Sequence, residues 1–245
     1  MAFLISIIIP AYNEENGIRK TTETVKKVKF PEKSEIIVVD DGSRDRTYGE
    51  AKKTRGIRTL KHGKNMGKAA ALYTGFSRAK GDIVATIDAD CTYPAQPLAK
   101  MLGMIRNGGA DMVLGSRFYN RRRGPHVLAG AAKKILLAAL GKKSGDHTNF
   151  YGNAVFSSLI TLLTGNVITD GSTGLRAFKK SMLDKVKIKS RGLDWEVEMT
   201  TRSIRGGYRV VEIPIHYYPR VGETKLKILK DGLRFFVGIV RGRFF

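Results

Sequence analysis

Four short, mostly apolar runs, Ile5–Ile9, Glu35–Val39, Ile83–Ile87 and Met112–Leu114, punctuate the first half of this chain. Helix-like stretches lie among them at Glu15–Val28, Thr47–Thr54, Lys68–Ala79 and Pro97–Arg106. A strand apolar on both faces must be covered on both faces. Such strands, separated by about 10–15 residues of helical pattern, build βαβ units and a mostly parallel sheet. The expected class is therefore α/β, a Rossmann-like sheet with helices on both sides. Ligands in sheets of this kind bind beyond the carboxyl ends of the strands. Here those ends carry Pro10-Ala-Tyr-Asn-Glu-Glu15, Asp40-Asp-Gly-Ser43, Asp88-Ala-Asp90 and Gly115-Ser-Arg117. The polar chemistry gathers on one edge.

The chain of 245 residues carries a net charge of +22, and its one cysteine, Cys91, excludes an internal disulfide framework or a thiolate zinc cluster. Residues 1–111 contribute +6 of that charge and residues 112–245 contribute +16. An anionic partner is implied: nucleic acid, an acidic membrane surface or a phosphorylated substrate. Nucleic acid does not account for acids at three strand ends, where they would repel phosphates unless a metal intervened. The amino-terminal Met-Ala-Phe-Leu-Ile-Ser-Ile-Ile-Ile-Pro lacks a basic leader and reads as a buried first strand. Residues 147–169 carry no formal charge, yet their Asn, Ser, Thr and Gly content is too polar for a bilayer span.

The second half follows another pattern. Apolar spacing in 120–169 suggests two amphipathic helices, and Tyr208–Pro214 reads as a strand. The tail, Lys225–Phe245, mixes Leu226, Ile228, Leu229, Leu233, Phe235 and Phe236 with Lys227, Lys230, Arg234, Arg241 and Arg243. Two readings stay open: a basic amphipathic helix on an anionic membrane, or a terminal helix docked on the domain.

In an extended segment residues i and i+2 share a face, so Asp88 and Asp90 can point at one object. Paired carboxylates repel unless a cation or proton separates them. A hard divalent cation that also binds substrate phosphates meets that need. Asp40-Asp-Gly-Ser43 is by itself a turn, with Ser43, Asp45 or Thr47 able to cap the following helix. Asn65-Met-Gly-Lys68 is either a turn and helix start, or amides and a lysine offered to a phosphate. The four histidines have no metal-site spacing.

Taken in order, Pro-Ala-Tyr-Asn-Glu-Glu at 10–15, Val-Val-Asp-Asp-Gly-Ser at 38–43, Asn-Met-Gly-Lys at 65–68, Asp-Ala-Asp at 88–90 and Gly-Ser-Arg at 115–117 resemble the inverting family 2 glycosyltransferases. Within them the chain is most similar to the polyprenyl-phosphate sugar synthases of the dolichyl-phosphate mannose synthase type. Asp170-Gly-Ser-Thr-Gly-Leu-Arg-Ala-Phe178, Glu212-Ile-Pro214 and Arg220-Val-Gly-Glu-Thr-Lys225 support that narrower match, so the resemblance covers roughly residues 4–230.

The resemblance implies a GT-A fold with interfacial helices at about 125–168. It divides residues 1–225 into a nucleotide-sugar half to about 117 and an acceptor half, and makes 226–245 a membrane-associating tail. Carried over residue by residue, Pro10, Tyr12, Glu14, Val39 and Asp41 would line the nucleoside pocket, and Lys68 would join the donor site. Asp88, Ala89 and Asp90 would hold the donor diphosphate, with Asp88 and Asp90 as ligands of Mg2+ or Mn2+. Arg117 would face the phosphates at the reacting centre, and Arg220 and Lys225 would come from a loop closing over it. Thr92 stands where the family has Gln, and the family's Arg and Ser of the first interfacial helix have no clear match between Arg123 and Asn153.

The implied reaction is inverting transfer from a nucleotide sugar to a polyprenyl or dolichyl phosphate at the cytoplasmic face of a membrane, by a peripheral protein. GDP-mannose is the first expectation for the donor, because no paired transmembrane helices follow the tail; UDP-glucose, another UDP-sugar or a different acceptor is the alternative. A lipid monophosphate is already anionic, so no general base is required. Among Asp194, Glu196 and Glu198, which open a helical pattern, an acid serves as base in relatives that glycosylate hydroxyls.

Overall fold

The computed structural model describes residues 4–119, 148–221 and 228–245. A seven-stranded sheet forms its centre, made of β1 (Leu4–Ala11), β2 (Lys33–Asp40), β3 (Arg58–Lys61), β4 (Ile83–Thr86), β5 (Met112–Ser116), β6 (Arg176–Lys179) and β7 (Val210–Pro214) in the order β3-β2-β1-β4-β6-β5-β7. Helices α1 (Ile18–Lys26), α2 (Thr47–Lys52), α3 (Lys68–Arg78) and α4 (Pro97–Arg106) alternate with the first five strands. These are followed by α5 (Thr148–Thr164), α6 (Met182–Val186), α7 (Trp195–Arg205) and α8 (Ile228–Phe244).

The apolar runs behave as their composition demands. Ile5, Ile7 and Ile9 of β1 pack with Val25 of α1 and Leu98 of α4 on one face of the sheet. Ile8, Ile37 and Val39 pack with Leu72 and Phe76 of α3 and with Trp195 of α7 on the other. Both faces of the central strands are therefore dry, as a covered parallel sheet requires. Pro10 has no N–H to continue a ladder, and pairing between β1 and β4 ends at Ile8 and Thr86. β4 ends there, whereas β1 stays paired with β2 as far as Ala11 and Asp40 before the loops begin.

Two strands lie outside the apolar runs. β3 is a half-exposed edge strand, Arg-Thr-Leu-Lys, too polar for the hydrophobic pattern to mark. β6 is Arg-Ala-Phe-Lys, and among the described residues it is the one strand that runs against its neighbours, antiparallel to both β4 and β5. Its reversal brings the loop that precedes it, 170–175, to the edge where the other strands end.

Of the two helices expected in 120–169, α5 is present; the earlier one lies outside the described residues. The tail helix α8 packs on α7 instead of standing apart from the domain. Ile239 is buried with Ile160, Ile168, Val197 and Ile204 in a third, smaller core. Close approach depends on small residues: a Cβ at Gly242 would come within 2.8 Å of the Thr201 Cβ, and one at Gly238 within 3.2 Å of the Asp194 Cβ. The docked reading of the tail thus describes its inner face. Among the described residues no helix is long and apolar enough to cross a membrane.

Replacing Gly with a larger residue in a helix gains up to about 1 kcal/mol of propensity, whereas overpacking a tight interface costs about 1–3 kcal/mol. Val is a poor helix former, so the clash governs at position 242. Gly242→Val is expected to destabilise the protein by about 1–3 kcal/mol in urea unfolding. An unchanged midpoint would mean that α8 does not seat on α7 as described.

Candidate active site

The loops after β1 and β2 are stitched together residue by residue. Ser43 Oγ accepts the Asn13 N–H at 2.9 Å, Thr47 Oγ1 accepts the Glu14 N–H at 2.7 Å, and Asp45 Oδ2 accepts the Glu15 N–H at 3.2 Å. Ser43, Asp45 and Thr47 therefore orient the 13–15 segment as well as ordering their own turn. Gly42 is required in that turn, for its φ is +72° and a Cβ would meet the Lys64 backbone carbon at 2.3 Å.

Asp41 is buried, and its two oxygens accept the Met66 N–H at 2.9 Å and the Gly67 N–H at 2.8 Å, with His62 Nδ1 at 2.7 Å. The amides of Met66 and Gly67 are thus turned to a carboxylate of the protein. Lys68 goes elsewhere. Its ammonium lies 2.7 Å from Asp88 Oδ1 and 2.7 Å from Glu196 Oε1. Burial pulls the ammonium toward the neutral form, but the two carboxylates outweigh it and hold Lys68 above the usual lysine range.

β4 stops at Thr86, so the alternation argument for Asp88 and Asp90 does not apply. A turn, with Cys91 at φ +62°, places both on the cavity instead. Asp90 Oδ1 accepts the Thr92 N–H at 3.1 Å and the Thr92 hydroxyl at 2.6 Å, which is the task of Thr92 in the place of the family's Gln. Asp90 Oδ2 faces Arg220 Nη1 at 2.6 Å, and the other end of that guanidinium pairs with Glu14. Gly17 lets the 89–90 backbone come close, since a Cβ there would lie 2.5 Å from the Ala89 carbonyl oxygen.

Arg117 is held by a partner outside the sequence-derived set. The wholly buried Asp170 receives Arg117 Nε at 2.7 Å and Nη2 at 2.8 Å, a bidentate pair, and the Arg117 N–H at 3.0 Å. Burial disfavours the charged guanidinium, yet Asp170 more than compensates and keeps it firmly protonated. Behind Asp170, the Glu212 carboxylate accepts the Thr169 N–H at 2.8 Å, the Thr169 hydroxyl at 2.6 Å and the Asp170 N–H at 2.7 Å. The Glu-Ile-Pro segment supports the loop that supports the arginine.

These groups share one cavity of about 500 Å³. Pro10, Tyr12, Glu14, Asp41, Lys68, Asp88, Ala89, Asp90, Arg117 and Arg220 all line it. Val39 does not; it is wholly buried in the core on the α3 side. Lys225 lies outside the described residues. Sequence reasoning missed Asp170, Asn153, Ser172, Tyr93 and Tyr217, and offered Glu196 only as one of three acids for a base that the favoured acceptor does not require. Asn153 Oδ1 accepts the Ser172 hydroxyl at 2.8 Å, tying α5 to the 170–175 loop. Phe156 of α5 and Phe235 of α8 close one side with rings 5.3 Å apart.

Residues 6–187 match the family described as Glycosyl transferase family 2. The chain belongs to glycosyltransferase family 2. This family 2 chain is 33% identical over 233 residues to the low-salt glycan biosynthesis hexosyltransferase Agl6 of Haloferax volcanii; that match takes in 94% of the chain but only 51% of the relative, so the chain spans about half its length. It is 29% identical to the dolichyl-phosphate hexose transferase of the same organism, over 97% of the chain and 92% of that protein. The fold is shared with glucosyl-3-phosphoglycerate synthase from Mycobacterium tuberculosis, solved in complex with Mn2+, UDP and glucosyl-3-phosphoglycerate, at a TM-score of 0.65 and 20% identity over 98% of the chain and 80% of that structure. This is the GT-A fold that the motifs implied.

Gly174 offers a test of the site that leaves every charge in place. A Cβ there would fall 2.4 Å from Asp88 Oδ2, so Gly174→Ala must push the carboxylate away from its position. We expect a loss of activity of about 100-fold, on the scale of a misplaced reacting geometry, in a protein that still melts cooperatively. Wild-type turnover would remove Asp88 from the site.

Proposed function

We propose that this chain transfers a hexose, with inversion, from a nucleotide sugar to a polyprenyl or dolichyl phosphate, assisted by Mg2+ or Mn2+. The observation that carries the reading is the charge pattern of the cavity. Among the described residues, Glu14, Asp41, Asp88, Asp90 and Glu196 line it against Lys68, Arg117 and Arg220. A nucleoside diphosphate is repelled by such a wall unless a further cation accompanies it. Asp88 and Asp90 supply the hard carboxylate oxygens that Mg2+ or Mn2+ takes alongside substrate phosphates. Among the described residues no group of three or more acid, histidine or cysteine side chains could by itself hold a metal ion. When bound, the metal neutralises charge on the leaving diphosphate.

The chain's own residues do the remainder. Tyr12, Pro10 and Asp41 flank the nucleoside, and Arg220, now resting on Asp90 and Glu14, is in reach of the diphosphate when it arrives. Arg117, immobilised by Asp170, presents a permanent positive charge to the reacting phosphates. An acceptor phosphate oxygen then forms its bond to the anomeric carbon as the bond to the donor's diphosphate breaks, and the electron pair leaves with the nucleoside diphosphate. The nucleophile is anionic beforehand, so positioning and neutralisation suffice.

The acceptor reading rests on the apolar flank that Phe156 and Phe235 give the cavity, and on the same two helices' outer surfaces. Leu162 of α5 and Leu233, Phe236, Val237 and Phe244 of α8 are exposed, as is the C-terminal Phe245. We read them as the face that meets the lipid bilayer. Part of the tail's positive charge is already engaged, with Arg241 3.5 Å from Glu198 and Arg234 3.5 Å from Asp231. The attraction to anionic lipid is accordingly smaller than a count of cations implies.

Calorimetric titration of GDP-mannose, UDP-glucose and UDP-N-acetylglucosamine, with Mn2+ or with excess chelator, tests the donor and the metal together. Binding of one donor is expected to need the divalent cation, and Asp90→Asn to weaken it by about 10-fold or more. Equal affinity in chelator would leave Asp88 and Asp90 with structural roles only. Co-sedimentation with anionic vesicles should fall as salt shortens the screening length to about 3 Å near 1 M. A protein indifferent to vesicles at low salt would remove the membrane from the reading.

A further inference from the structure

Glu196 stands apart from the other acids of the cavity. Its side chain is only 4% exposed, and it comes from the first turn of α7, where it shares the Lys68 ammonium with Asp88. Oε1 is taken by Lys68 at 2.7 Å. Oε2 is buried and has no hydrogen-bond partner among the described residues, although the residue lines the cavity. A buried carboxylate oxygen left unpaired is costly, by about 1–3 kcal/mol or more for a charged group. A site that keeps one is complementary to a ligand that brings the missing donor.

The surroundings of Oε2 restrict what that donor can be. A phosphate, whether of the nucleotide or of the acceptor, carries only acceptor oxygens at neutral pH and is repelled. The nucleobase end of the cavity is marked by Pro10, Tyr12 and Asp41, whereas Glu196 is joined through Lys68 to Asp88, where the diphosphate is held in the function proposed above. What extends past the diphosphate, away from the nucleoside, is the hexose. The pairing with Lys68 also fixes the carboxylate rotamer, so Oε2 offers its lone pairs in one direction.

We infer that Glu196 is a sugar-recognising residue, whose Oε2 accepts a hydrogen bond from a hydroxyl of the donor hexose. This rests on the nucleotide-sugar reading and adds a specificity determinant to it. A consequence separates sugar recognition from a merely structural acid. Glu196→Gln keeps the shape and leaves an amide oxygen for Lys68, but it removes one negative charge from beside that ammonium. Lys68 then attracts a diphosphate at least as strongly, while the hexose loses a charge-assisted hydrogen bond.

The test is calorimetric binding, in Mn2+, of UDP and GDP and of UDP-glucose and GDP-mannose to the full chain and to Glu196→Gln, with a thermal melt of each. For the nucleotide sugar that the wild type binds, the variant should bind about 10-fold or more weakly. Affinity for the matching diphosphate should be unchanged or higher. Equal weakening of sugar nucleotide and diphosphate, or no weakening of either, overturns the inference. The second outcome, with turnover abolished, would make Glu196 a base for a hydroxyl acceptor. A wild type that binds none of the sugar nucleotides overturns the proposed function instead. Should Glu196→Gln fail to fold, Glu196→Asp, which keeps the charge but withdraws the oxygen, must show the same split.

Discussion

Carboxylates brought together in a partly desolvated space must be compensated, and much of this structure can be understood as the means of doing so. Lys68 at the start of α3 pairs with Asp88 and Glu196 at once. Arg220, from beyond β7, spans Glu14 and Asp90. Each contact ties distant parts of the chain, and in the proposed function each places a cation near the diphosphate. The same ion pairs that permit the acids to converge also preset the electrostatics of the cavity, at no cost in reorganisation when a ligand arrives.

A second layer of hydrogen bonds keeps those charges in place. Glu212 holds the 169–170 backbone, Asp170 holds Arg117, and Asn153 and Ser172 connect α5 to that loop. Arg176 lies wholly buried over the Trp195 ring, donating to the carbonyls of Thr173, Gly171 and Glu196. Burial lowers its pKa, and it has carbonyl groups in place of a carboxylate partner at hydrogen-bond distance. This arginine fastens the 170–175 loop to α7, and with it the positions of Asp170 and Glu196. A change far from the reacting atoms can therefore move them.

The helices α5 and α8 have two surfaces with different duties. Their inner sides build the third core and contribute Phe156 and Phe235 to the cavity wall, while their outer sides expose large apolar residues. Seating of the tail on α7 and the shape of the active cavity are consequently one mechanical unit. In the proposed function this arrangement puts the reacting phosphate of a lipid next to the bilayer that holds its chain.

The sequence by itself determined the core of the Rossmann-like half: apolar runs long enough to be strands, helices of suitable length between them, and acids at the strand ends. Local pattern suffices there because parallel strands buried on both faces advertise themselves. It did not reveal β3, which is polar because it is an edge, nor β6, whose four residues include a buried arginine that pattern reads as surface. Only the tertiary structure decided that β6 runs backward, and this reversal carries Asp170, Ser172 and Gly174 to the edge where the parallel strands end. It also decided the partners of the charges. Lys68 and Glu196 are 128 positions apart in the chain, and electrostatic pairing at that separation is set by how the chain packs, which no local spacing encodes.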